Sequence, residues 1–232
     1  LVGRESDLPS VGERMLRLRY TSWDGTQRIR LDPERVFEQF AEAFPQTHIE
    51  LQESVLGGTD EAILGRKVDL GISPRVPVGF AGEPLLPVRF IPVAHPTHPL
   101  HQLQRPLTFR DLRQHRQLVI RDSGASRDRD SGAWLGAEQR WTVSNKATSI
   151  QAVRMGLGFA WFAEHIIRPE LESGQLRPLP MAPGHEREAT LYLILPDGEF
   201  AGPGARALAE IIRRRSADCC AAQAETSSSS LS

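Results

Sequence analysis

Short apolar strands alternating with amphipathic helices predict an α/β fold, built as two Rossmann-like lobes with a cleft between them. Three observations carry this expectation. The first seventy-odd residues read strand, helix, strand, helix, strand. A second run of short strands and helices occupies the middle of the chain. Apolar segments at 86–94 and 189–195 read as the strands that cross between the two units. At 232 residues the chain can bury a substantial core without metals or disulfides.

Residues 15–20 (MLRLRY) alternate Leu16 and Leu18 with arginines, the period of a half-buried strand. A polar turn at 21–26 follows. Asp32 supplies an N-cap and Pro33 the first helical position; Val36, Phe37, Phe40, Ala43 and Phe44 fall at helical spacing, and Pro45 stops the run. Alternation resumes at 48–55. Gly57-Gly58 breaks that strand, Thr59 caps a short helix through Leu64, and Gly65 closes it. Residues 68–72 (VDLGI) form a short apolar strand ended by Ser73-Pro74.

The long strand at 86–94 (LPVRFIPVA) leaves this first unit. A capped helix at 108–112 and a buried strand at 117–120 (QLVI) come next, then a polar loop over 121–131. After a short strand at 141–143, Ser144 or Asn145 caps a helix carrying Ala147, Ile150, Val153 and Met155. Gly156 falls where a helix C′ glycine belongs. An apolar run at 157–162 and the strand at 189–195 (ATLYLIL) lead to a final helix over 204–215, whose three terminal arginines complement its dipole. Residues 217–232, ending TSSSSLS, are of low complexity and predict a disordered tail; residues 1–13 read as a linker.

Charge narrows the function. Lys+Arg 28 against Asp+Glu 29 gives a net charge of −1, which argues against bulk electrostatic binding of nucleic acid. No apolar run approaches the roughly 20 residues that span a bilayer, so no membrane partner is expected. Cys219 and Cys220 are adjacent and form neither a disulfide framework nor a metal cage, which favours a reducing, cytoplasmic setting. The chain begins at Leu1 without an apolar leader and reads as a piece of a longer protein.

Motifs for catalysis are thin. His95, His98 and His101 have a metal-like spacing, but two prolines and the lack of nearby acidic or Cys partners favour a surface turn. Gly156-Leu-Gly158 lacks the third glycine of a dinucleotide fingerprint and follows a helix, so it reads as a helix stop. No cofactor is expected. The Asp122-Ser-Gly-Ala-Ser126 turn resembles a nucleophile site only superficially, since it is not Gly-x-Ser-x-Gly; it reads as a ligand loop or an ordinary turn. Trp23 stands in the turn after the first strand, either as a cleft wall or packed under the first helix. Asn145 is first a helix cap, at a helix end that would also attract a carboxylate.

Four stretches in order carry a family resemblance. They are Phe40-Ala-Glu-Ala-Phe-Pro45 with His48-Ile-Glu-Leu51, Gly65-Arg-Lys-Val-Asp-Leu-Gly-Ile72, His98-Pro-Leu100 with Leu107-Thr-Phe-Arg-Asp-Leu112, and Ala152-Val-Arg-Met-Gly-Leu-Gly-Phe-Ala160 with Leu171-Glu-Ser-Gly-Gln-Leu176. Over about 15–215 the chain resembles the effector-binding domain of LysR-type transcriptional regulators. The resemblance implies a fold like type-2 periplasmic binding proteins, with lobe I from 14–94 plus 186–216 and lobe II from 95–185. It implies a small-molecule effector in the cleft, an organic acid or aromatic metabolite. A homodimer or homotetramer would then contact promoter DNA only through an N-terminal winged helix-turn-helix that this chain lacks. By position, ligand contacts would come from Ser22, Trp23, Thr26, Leu56, Ser73 and Arg75 in lobe I, and from Ser123, Ser126, Asn145 and Trp161 or Phe162 in lobe II. Leu56, the bulky Trp23 and Ala163 (in place of a usual proline) depart from the family pattern. A transport solute-binding protein of the same fold is the alternative, and an enzyme would need a matched catalytic set that the sequence does not offer.

Overall fold

The computed structural model describes residues 14–21, 33–55, 57–125, 135–185 and 187–229. Strand β1 (Arg14–Thr21), helix α1 (Pro33–Ala43), β2 (Thr47–Ser54), α2 (Gly57–Leu64) and β3 (Leu70–Ser73) form the first unit. β1 lies between β2 and β3, parallel to both. The long strand β4 (Glu83–Ala94) leads into α3 (Phe109–Arg113), β5 (Gln117–Ile120), β6 (Arg140–Val143), α4 (Lys146–Arg154), β7 (Phe159–Ala163), α5 (Arg168–Glu172) and the two-residue β8 (Arg177–Pro178). Here β5 lies between β6 and β7, again parallel to both. β9 (Arg187–Ile194) and α6 (Pro203–Ser229) complete the chain.

The described strands run in the order β2-β1-β3-β9-β4-β7-β5-β6, with β8 on β4. Each flank is therefore the same doubly wound unit, centre strand first, and the two are mirrored across an antiparallel β4–β9 pair. That topology is the two-lobed architecture the sequence predicts. A β-bulge between Pro84 and Leu86 lets β4 carry three prolines, Pro84, Pro87 and Pro92, and still pair along its length.

Helices cover both faces of each lobe. In the first, Val36 and Phe40 of α1 pack with Leu208, Ala209 and Ile212 of α6 over Leu70, Ile72 and Leu193, and Phe40 stacks on Phe44 at 5.0 Å. Ala62 and Ile63 of α2 cover the other face with Val68 and Ile194. In the second lobe, Leu107 and Leu112 pack on Phe90, Phe159 and Trp161, and Val153 and Ile167 pack on Ile91, Leu118 and Phe162 from the opposite side.

Four sequence expectations change. α2 starts at Gly57, so Thr59 is not its cap; it is fully buried, with Oγ1 2.5 Å from Ser54 Oγ. The left-handed residue after α2 is Arg66 (φ 48°) and not Gly65. α6 runs on to Ser229, past Arg215 and through most of the expected disordered tail, because 216–225 contains good helix formers and neither Gly nor Pro. A 3-10 turn at Pro99–Gln102 and the short α5 were not anticipated. Asp32, the expected cap of α1, lies outside the described residues. Gly156 does take the left-handed conformation (φ 76°) expected of a C′ glycine.

Gly158, by contrast, is needed for space. A Cβ there would run into the Arg116 carbonyl and come within 2.8 Å of Leu118 Cδ1. Replacing Gly158→Ala should cost about 1–3 kcal/mol through overpacking, read as a lowered urea midpoint at unchanged m-value.

Candidate functional site

In doubly wound sheets a ligand lies beyond the carboxyl ends of the parallel strands. The carboxyl ends of β2 and β5 meet here, although these strands lie on opposite flanks of the sheet. The sheet curls until the loop after β5 touches the turn between β2 and α2.

The contact is dense. Ser123 N–H donates to the Val55 carbonyl at 3.2 Å. Its Oγ accepts from Val55 N–H at 2.8 Å and donates to the same carbonyl at 3.1 Å. Asp122 Oδ1 accepts from Gly57 N–H at 3.0 Å and from Gly124 N–H at 2.7 Å. Ala125 N–H donates to Glu61 Oε1 at 2.7 Å. Beneath these bonds Val55 and Ile120 are buried against Val143. Beside them Lys146, at the start of α4, reaches Glu53 of β2 at 3.3 Å.

The expected ligand residues fall into three groups. Ser22, Trp23, Thr26, Leu56 and Ser126 lie outside the described residues. Ser123, Ser73, Arg75 and Asn145 sit at strand ends or at the loops beyond them. Ser73 is fully buried and its Oγ accepts from Arg75 N–H at 3.3 Å; the Arg75 guanidinium lies 3.1 Å from Asp60, in the first turn of α2. Asn145 caps α4, its Oδ1 accepting from Ala147 N–H at 2.8 Å and Thr148 N–H at 3.3 Å, and its side chain is exposed. Phe162 is 1% exposed and packs inside the core with Ile91 and Leu118. Trp161, on the other face of β7, carries the Arg187 guanidinium 4.5 Å above its ring, and burial lowers the pKa of that arginine.

Sequence reading missed Asp122, Glu53, Glu61 and Lys146 as joint residues. The available signal was glycine: Gly57-Gly58 and Gly124 stand in two separate loops, and glycine often marks a close backbone approach.

The domain model for the LysR substrate binding domain matches residues 34–217. The chain belongs to the LysR substrate-binding domain family. This is a non-enzymatic regulatory domain, and its members share the two-lobed fold described above. In sequence the chain is 27% identical over 135 residues to the probable HTH-type transcriptional regulator YhaJ of Escherichia coli K12, covering 56% of this chain and 45% of that protein. It thus spans about half the length of the curated relatives it matches. In structure it is similar to the effector-binding domain of QuiR in complex with shikimate (TM-score 0.66, 13% identity, 89% of this chain and 98% of that one). The regulatory domain of CcmR from Synechocystis PCC6803, in complex with 2-PG, is as near (TM-score 0.67, 14% identity, 86% and 96%). Among the described residues of this LysR-type domain, no helix is long and apolar enough to cross a membrane.

Its histidines have an electrostatic role of their own. Among the described residues no three His, Cys, Asp or Glu side chains are placed to hold a metal ion. His98 is 7% exposed and its Nδ1 accepts from Leu100 N–H at 3.2 Å, which holds the 3-10 turn. Burial, then the charges of His115, His101 and His95, lower its pKa to about 4, and burial lowers His101 and His115 as well. As pH falls below 6.5 the unfolded chain takes up protons that folded His98 refuses until about 4, so stability declines across that window. Melting temperature should therefore fall between pH 7 and pH 5, and His98→Asn, which keeps an acceptor for Leu100 N–H but cannot titrate, should flatten the slope.

Proposed function

We propose that this chain is the effector-sensing part of a LysR-type transcriptional regulator. A small organic acid or aromatic metabolite binds between the lobes and changes how the copies of a homodimer or homotetramer are arranged. Promoter DNA is contacted through an N-terminal winged helix-turn-helix beyond this segment, in the cytoplasm. Lobe I comprises 14–94 and 186–216, and lobe II comprises 95–185.

The observation that carries this reading is the facing of two strand-end sets, one from each lobe, across a single curled sheet. Strand ends supply free backbone groups and helix N-termini, which suit polar and anionic ligands. Family membership supports it, as does the shikimate complex of QuiR, since shikimate is a carboxylate. Trp23 supplies an aromatic wall and Arg75 a cation for such a ligand. An effector shifts the assembly only through its differential affinity for the two arrangements.

The test is a thermal-shift panel of small carboxylates, aromatic acids, amino acids and sugars. An acid at about 100 times its Kd should add about 2.7 kcal/mol of stability, several degrees of melting temperature. Trp23→Ala and Arg75→Gln should each abolish the shift at that concentration. A response to sugars alone would sink the acid reading.

A further inference from the structure

The loop Arg121–Ala125 does more than border the cleft. We propose that it is an intramolecular clasp, which holds the lobes closed with the chain's own atoms. The proposal rests on the reading of the cleft as an effector site.

Position comes first. The lobes are joined through β4 and β9 at the centre of the sheet, while β2 and β6 are its two ends. A contact between the β2 end and the β5–β6 end therefore joins the two flanks independently of the crossing strands, and is a second connection between the lobes. Every bond of the joint crosses between segments more than sixty residues apart, except the one from Gly124.

Saturation comes second. At this lip Ser123 Oγ already accepts one hydrogen bond and donates another, and both backbone groups of Val55 are engaged. The Gly57 amide is held by Asp122. A ligand that used any of these groups would have to displace the loop.

Space comes third. A Cβ on Gly57 would stand 2.9 Å from Asp122 Oδ1, one on Gly124 would stand 3.1 Å from the Gly57 backbone, and one on Gly58 would overlap Ser123 Oγ. Nothing fits between the two loops while they touch. None of the three glycines has a positive φ, so space and not backbone conformation is what requires them.

Closure is thus a state with its own bonds, and ligand affinity is reduced by whatever fraction of molecules is clasped. The carboxylate of Asp122 and the small size of Gly58 are the two parts that can be changed separately. Gly58→Ala wedges the joint without removing a bonding group. Asp122→Ala removes the acceptor for two amides. Asp122→Asn keeps an acceptor oxygen and serves as the control.

The experiment is amide hydrogen exchange on the whole 232-residue chain, followed at Val55 and Gly57, with small-angle scattering for overall dimensions. Asp122→Ala and Gly58→Ala should each speed exchange of both amides about tenfold, the factor carried by one charge-assisted hydrogen bond, and enlarge the radius of gyration. Asp122→Asn, which keeps the acceptor oxygen but not the charge, should fall between the parent chain and Asp122→Ala. Adding Ser123→Gly to Gly58→Ala removes the obstructing side chain and should slow exchange again at Gly57, whose acceptor is Asp122, while Val55 stays fast because Ser123 Oγ is its acceptor. Unchanged exchange in both Asp122→Ala and Gly58→Ala overturns the clasp. So does a rise shared by the amides of α1 and α6, which would report general unfolding. The same variants then enter the carboxylate panel. An acid that binds Asp122→Ala about tenfold more tightly than the parent supports the clasp as a competitor of the ligand. An acid that binds the variant more weakly overturns it, because the joint would then be closing on the ligand. If no acid binds either protein while exchange responds as expected, the clasp stands and the effector reading fails.

Discussion

The antiparallel pairing of β4 with β9 is the constraint from which the rest of the molecule follows. Each strand spans the gap between two doubly wound units, and their ladder runs from Glu83↔Leu193 to Phe90↔Arg187. Because these two strands carry the chain across, both lobes share one sheet and are joined through its centre. The right-handed twist that accumulates over a sheet of this width turns the outer strands toward each other. A cleft bounded by strand ends, with a lip where β2 meets the loop after β5, is the geometric result.

Much of this was legible in residue order. Local patterns located α1 through Pro33 and Pro45, α4 through Asn145 and Gly156, and the crossing strands through their apolar runs, because each signal lies within one turn or one strand of what it specifies. The start of α2 is set by a distant residue. Thr59 looked like a cap because hydroxyls before an apolar run usually are, yet the first amide of α2 is satisfied by Asp122, 65 residues away. No local rule finds a cap that arrives from another lobe.

The candidate site shows the same limit. Ser123 is a hydroxyl in a glycine turn, and the structure places it at the joint between the lobes; Asp122 beside it, which no local pattern marks, is the residue that grips α2. Phe162 and Trp161 are neighbours in sequence, and the pleat alone sends one into the α4-side core and the other toward Arg187. Choosing between them needs the packing on each face of β7, where Leu112 of α3 lies on the Trp161 side and Val153 of α4 on the Phe162 side.

The pairing of α1 with α6 has a consequence for how the chain acquires its structure. Val36 and Phe40 complete their packing only against Leu208, Ala209 and Ile212, so the two ends of the sequence build one core together. Contacts this distant along the chain are slow to form, because a long loop must close before they are gained. During synthesis the middle segment, with its own apolar interior around Leu118 and Phe159, emerges complete while Phe40 and Leu70 still await their cover. A truncation that removes α6 therefore leaves the first unit, although translated before the rest of this segment, as the part without a complete core.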